Sequence, residues 1–100
     1  MEKVKVTPAN GNVFADLGFS PEEANNLYVR ARLLNEVQRI FRRRKLTQSD
    51  GAKLFGVSQP RLNLALKGRI GEFSIDALVS MLSHAGRHVD VSIRPARRAA

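Results

Sequence analysis

Apolar residues recur at helical spacing over two stretches of the chain and then switch, near its C-terminal end, to strict alternation. In the first stretch Leu27, Ala31, Leu34, Val37 and Phe41 form one stripe, widened by Leu33 and Ile40. That spacing predicts a long amphipathic helix. Its start is marked: Ser20 as cap, Pro21 in the first helical position and Glu23 three residues after the cap make a capping box, with Phe19 as the apolar staple. Val13, Phe14 and Leu17 lead into it. In the second stretch Ile75, Leu78, Val79 and Leu82 predict a helix over 74–85, stopped by Gly86. Residues 87–94 then alternate, with Val89, Val91 and Ile93 on one side and His88, Asp90, Ser92 and Arg94 on the other. This is the period of a half-buried strand, and Pro95 ends it. A lone strand needs a partner: the same strand of a second copy, the Val4 and Val6 stretch, or another protein.

Between these stretches, residues 46–68 read as two short helices joined by a tight turn. Thr47 caps a helix over 48–55, with Asp50 completing the T-x-x-D pattern. Gly56 ends it, Val57 anchors the turn, and Ser58 caps a second helix. Pro60 falls in the first turn of that helix, where its missing N–H leaves no bond unmade, and Gly68 closes it. Small Ala52 allows a close helix crossing, while Phe55, Val57, Leu62 and Ala65 supply the apolar wedge that holds two helices at about 90–120°. Gly51, mid-helix, is expected to weaken the first of them by roughly 0.5–1 kcal/mol relative to alanine.

One hundred residues suffice for one domain with a modest core, and not for a large enclosed active site. The divisions expected are an arm over 1–12, an edge strand or flexible; a helical domain over 13–86; the strand over 87–94; and a basic tail over 95–100. Without cysteine there is no disulfide framework and no thiolate metal site. Residues 1–12 are too polar for a secretory segment and no apolar run spans a membrane, so a cytoplasmic protein is expected. The net charge is +8, unevenly placed. Residues 39–73 carry nine Lys or Arg against two acids, whereas residues 1–38 carry four against five. A basic stripe centred on a two-helix motif that fits the major groove is the footprint of a DNA binder. An enzyme is not expected. His84 and His88 are separated by the helix-stopping Gly86 and lack a third ligand, Glu22 and Glu23 suit a helix N-terminus, and no nucleophile sits in a triad-like pattern. No cofactor is called for. The G-x-x-G run at 68–71 matches the clamp of KH RNA-binding domains but lacks their sheet.

The core T-Q-x-x-x-A-x-x-x-G-V-S-Q, from Thr47 to Gln59, resembles the Xre family of lambda repressor and Cro-like helix-turn-helix proteins. The resemblance implies an all-α bundle of about four or five helices, here followed by a C-terminal β-strand. It also implies that Gln48 bonds a phosphate and braces Gln59, which reads a base. Glutamine suits that task, because its amide can bond adenine N6 and N7 together. Base readout is accordingly expected from Gln59, Pro60, Arg61 and Asn63. Thr47, Gln48, Ser58, Lys67 and Arg69 are expected to hold phosphates, with Arg43 and Arg44 adding charge. Outside the core, NVFADLGFSPEEA, FSIDALVSML and the V-x-V-x-I run look like the branch containing HigBA-type antitoxins. This likeness, over about residues 10–94, implies a bacterial or phage protein that binds a pseudo-palindromic operator as a homodimer, represses its operon and neutralises a RelE-like ribonuclease toxin. A solitary Xre-type regulator or a module holding an acidic protein are the alternatives.

Overall fold

The four longer helices each begin after a serine or threonine, Ser20, Thr47, Ser58 or Ser74, whose side-chain oxygen accepts an N–H of the first turn. The computed structural model describes residues 13–95, so the expected arm over 1–12 and the tail over 96–100 lie outside the described residues. Five α-helices run in the order α1 (Val13–Asp16), α2 (Pro21–Arg43), α3 (Gln48–Phe55), α4 (Gln59–Leu66) and α5 (Ile75–His84), with a single 3₁₀ turn (Ile70–Glu72) between the last two. The Ser20 hydroxyl accepts from Glu23 N–H while the Glu23 carboxylate accepts from Ser20 N–H, so the capping box is complete. Phe19 meets Phe14 of α1 edge to face, 6.2 Å between centroids, and so ties the one-turn helix to the start of α2. Sequence periodicity is silent on α1, because four residues are barely more than one turn.

The core is a single cluster in which Leu34, Val37 and Ile40 of α2 meet Phe55, Leu62, Leu78 and Leu82. Within the expected α2 stripe, Leu34, Val37 and Ile40 are fully buried and Leu27, Ala31, Leu33 and Phe41 only partly, while Ala24 is an unforeseen buried member. On α5 the buried set is Leu78, Met81 and Leu82, with Ile75 and Val79 half-buried. Phe73, outside any α-helix and therefore outside any helical stripe, is one of the largest fully buried side chains.

Two expectations are corrected. No β-strand occurs among the described residues: 87–95 runs as irregular chain. Val89 packs against the core, but Val91 and Ile93 are 78% and 93% exposed. A helix closes its own hydrogen bonds, whereas a strand exists only as half of a ladder, and nothing in the described chain offers the other half. Gly51, secondly, is a packing requirement. It is buried, and a Cβ there would stand 2.8 Å from both Leu62 Cδ2 and the Phe41 ring. The small residue that lets α3 and α4 cross closely is therefore Gly51 together with the buried Ala52.

Candidate nucleic-acid interface

The unit formed by α3, its turn and α4 is built from local signals: both caps and the glycine turn act as expected, while the Asp50 carboxylate makes no return bond to the Thr47 N–H. Thr47 Oγ1 accepts from Asp50 N–H at 3.1 Å and Ser58 Oγ from Arg61 N–H at 3.2 Å, so each helix opens on a capped turn. Gly56 adopts φ +68°, ψ +33°, and the N–H groups of Gly56 and Val57 return to the Lys53 and Ala52 carbonyls. This left-handed closure reverses the chain within one residue. A second constraint also acts on Gly56, since the ring of His84 from α5 would be 2.7 Å from a Cβ there, and His84 Nδ1 lies 3.1 Å from the Leu54 carbonyl oxygen. Leu62 and Ala65 point inward from α4 and are completely buried.

Two α2 side chains, unmarked in the sequence, hold the far end of this unit. Gln38 Nε2 donates to the Ala65 carbonyl at 2.9 Å and to Leu66 O at 3.5 Å, satisfying acceptors that the end of α4 would otherwise leave open. Arg30 Nη1 donates to the carbonyls of Ile70 and Phe73, and its Nε to Asn26 Oδ1 at 2.7 Å. Both are polar residues on a mostly apolar side of α2, the only sign by which the sequence distinguishes them.

Gln48, Gln59 and Pro60 are exposed, as are Thr47, Ser58, Lys67 and Arg69, while Asn63 is half-buried. The carboxamides of Gln48 and Gln59 have no hydrogen-bond partner among the described residues, so the expected brace between them is absent from the free chain. Two exposed amides gain little over water by pairing. Arg61 departs from its expected placement: its guanidinium lies 4.3 Å over the buried ring of Phe73, which leaves it half-buried and fastened to the segment after α4. Cation–π attraction to a ring shielded from water is strong enough to hold such a side chain down.

Arg43 and Arg44, exposed at the end of α2, line a second feature. Together with Arg39 and Arg87 they rim an open groove of about 590 Å³ floored by Leu33, Ile40, Leu82 and Val89. With about 100° of turn per residue, the Glu36, Ile40 and Arg43 side of α2 is roughly 140° around from the Arg30, Gln38 and Phe41 side that supports α3 and α4. Lys45, just past α2, is the one non-glycine described residue at positive φ, +51°, and its exposed ammonium has no partner among the described residues.

A capped helix, a glycine-closed turn and a second capped helix presenting an exposed glutamine and proline define a helix-turn-helix protein. The chain belongs to a family described as a helix-turn-helix domain, whose model matches residues 13–94. No curated protein matches the chain. Among the described residues no helix is long and apolar enough to cross a membrane.

Proposed function

We propose that this protein is a sequence-specific, non-enzymatic DNA-binding regulator that acts on a pseudo-palindromic operator as a homodimer and represses the operon it belongs to. The observation that carries this reading is the start of α4. Gln59 and Pro60 stand exposed on a helix end whose axis is fixed by Leu62, Ala65, Gly51 and Gln38, and the Gln59 amide is committed to nothing among the described residues. A side chain with two donors and an acceptor, held on a rigid helix and free of internal partners, is what reading adenine in the major groove requires. Around it, Thr47, Gln48, Ser58, Lys67 and Arg69 are exposed and able to reach phosphates, which set register and not sequence. Arg61 serves α4 by gripping Phe73, and Asn63 remains a second base reader. Two such helices in a dimer would engage half-sites about 34–36 Å apart.

Selection of source-genome fragments by the purified protein, followed by titration across salt, tests this reading. Enrichment of one inverted repeat is expected, over a non-specific background that falls steeply with salt. No enriched sequence at any salt would sink it. Gln59→Ala should cost about 1–3 kcal/mol, chiefly at one base position, whereas Lys67→Ala should weaken all sequences alike and flatten the salt slope by about one. An equal loss at every sequence on Gln59→Ala would remove the base contact.

The antitoxin role is supported by the HigBA-like segments and by the opposite end of the molecule. There Val13, Leu17 and Phe19 are exposed beside Asp16, Glu22 and Glu23. A ribonuclease must itself carry basic surface to hold RNA, so an acidic, apolar end suits it as a partner. Mixing the protein with the product of the neighbouring gene should yield a co-eluting complex without ribonuclease activity; an inert mixture would leave a solitary regulator.

A further inference from the structure

One side chain near the start of α4 has more to offer than its contacts use. Arg61, third residue of the helix, lies with its guanidinium 4.3 Å over the ring of Phe73. Attraction to a ring draws on the charge and leaves the N–H groups of the guanidinium uncommitted. None of these donors has an acceptor among the described residues. The ring beneath is held in its turn. Phe73 N–H donates to the Ile70 carbonyl at 3.3 Å, and Arg30 Nη1 reaches from α2 to the carbonyls of Ile70 and Phe73 at 3.3 and 3.4 Å. A line of contacts therefore runs from α2 through the 3₁₀ turn to the first turn of α4, and it ends on a guanidinium with free donors.

We propose that Arg61 is a phosphate clamp held ready in the free protein, and that Phe73 is the positioning residue that holds it. The inference rests on the DNA reading above and adds to it a contact that the motif does not announce. At about 100° per residue, Gln59 and Asn63 stand about 40° apart around α4, whereas Arg61 is about 160° from each. It therefore belongs not with the base readers but on the flank facing the linker, where Lys67 and Arg69 are exposed. An arginine that closes on a phosphate from solution must first surrender many rotamers; one already laid against a ring has surrendered them beforehand. Two adjacent N–H groups can then meet two phosphate oxygens together, a geometry that the single ammonium of lysine lacks. Phe73, 1% exposed, is too deep to touch DNA and acts only through Arg61.

The test is the affinity of the full chain for its selected operator and for single-base variants of that site, across salt, with the wild type, Arg61→Met, Phe73→Leu and the double variant. Arg61→Met should weaken every sequence alike, by about tenfold, and flatten the salt slope by about one. Phe73→Leu should cost about fivefold where Arg61 is present and less than about twofold where it has been replaced. Arg61→Lys, which keeps the charge without the fork, should fall between the wild type and Arg61→Met. In the free protein, ring currents should move the Arg61 side-chain resonances upfield, and Phe73→Leu should return them. Phe73→Met takes the place of Phe73→Leu if the latter fails to fold. Equal losses for Phe73→Leu in both backgrounds would make the ring merely structural and overturn its positioning role. A loss on Arg61→Met confined to one base position, or no loss at all, would overturn the clamp while the DNA reading stands. A wild type that selects no fragment would overturn the DNA reading, and the clamp with it.

Discussion

Helix α4 and the segment over 87–95 both carry apolar residues that call for cover, yet the first buries its inward pair inside the chain and the second leaves Val91 and Ile93 exposed. In α4 the inward residues Leu62 and Ala65 are completely buried, and the helix's own backbone bonds, the Ser58 cap and Gln38 satisfy its polar groups. In the C-terminal segment only Val89 finds cover. The difference is that a helix needs its neighbours solely for its side chains, whereas a strand needs them for its backbone as well. Periodicity therefore announces that a surface is meant to be covered and says nothing of where the cover comes from.

The sharpest way to test this contrast is to truncate one apolar residue from each region. Leu62→Ala should lower the stability of the domain by about 2–5 kcal/mol, read as the urea midpoint. Ile93→Ala, measured at concentrations where the chain is single, should change it by less than about 0.5 kcal/mol. Similar losses for the two would mean that the C-terminal segment is packed within its own chain. Next in size is Gly51→Ala. Helix propensity alone favours alanine by about 0.8–1 kcal/mol. The methyl would nonetheless be pressed between Leu62 and Phe41, and overpacking of this kind costs about 1–3 kcal/mol. A lowered thermal midpoint is expected, and a raised one would mean that the α3–α4 crossing can relax. Gln38→Ala should cost about 0.5–1.5 kcal/mol and accelerate amide exchange in the last turn of α4 more than elsewhere. The smallest effect has the opposite sign. Lys45→Gly should raise the midpoint by the equivalent of about 0.5 kcal/mol, the relief of a left-handed side chain less the added freedom of glycine in the unfolded chain.

Most of the fold was legible because its signals are local. Ser20 with Glu23, Thr47, Ser58, Gly56 and Gly86 each act within four residues, and the sequence shows every one of them. Contacts that join distant residues were hidden. Phe73 has no helical neighbours to give it a phase; Gly51 reads as a helix breaker until Phe41 and Leu62 are seen on either side of it. That Arg43 and Arg44 share a groove with Arg87 was hidden too, because charge counted along a chain loses the angle around a helix. The candidate site divides the same way. Gln48, Gln59 and Pro60 are exposed as the motif implies, while Arg61 is drawn down by an aromatic ring twelve residues later.

Arg30 and Gln38 make α2 a measuring rod. They stand eight residues apart, about 12 Å along the axis at 1.5 Å per residue, and each grips carbonyls at one end of the stretch from Ala65 to Phe73. One residue inserted or deleted between them would shift one grip by about 1.5 Å and swing it by about 100°. A turn added to α2 before Asn26 leaves both grips as they are. There an added turn would only carry the acidic end farther from the glutamines of α4, and the distance between the two ends becomes a free variable on which new partners can be accommodated without altering which DNA is read.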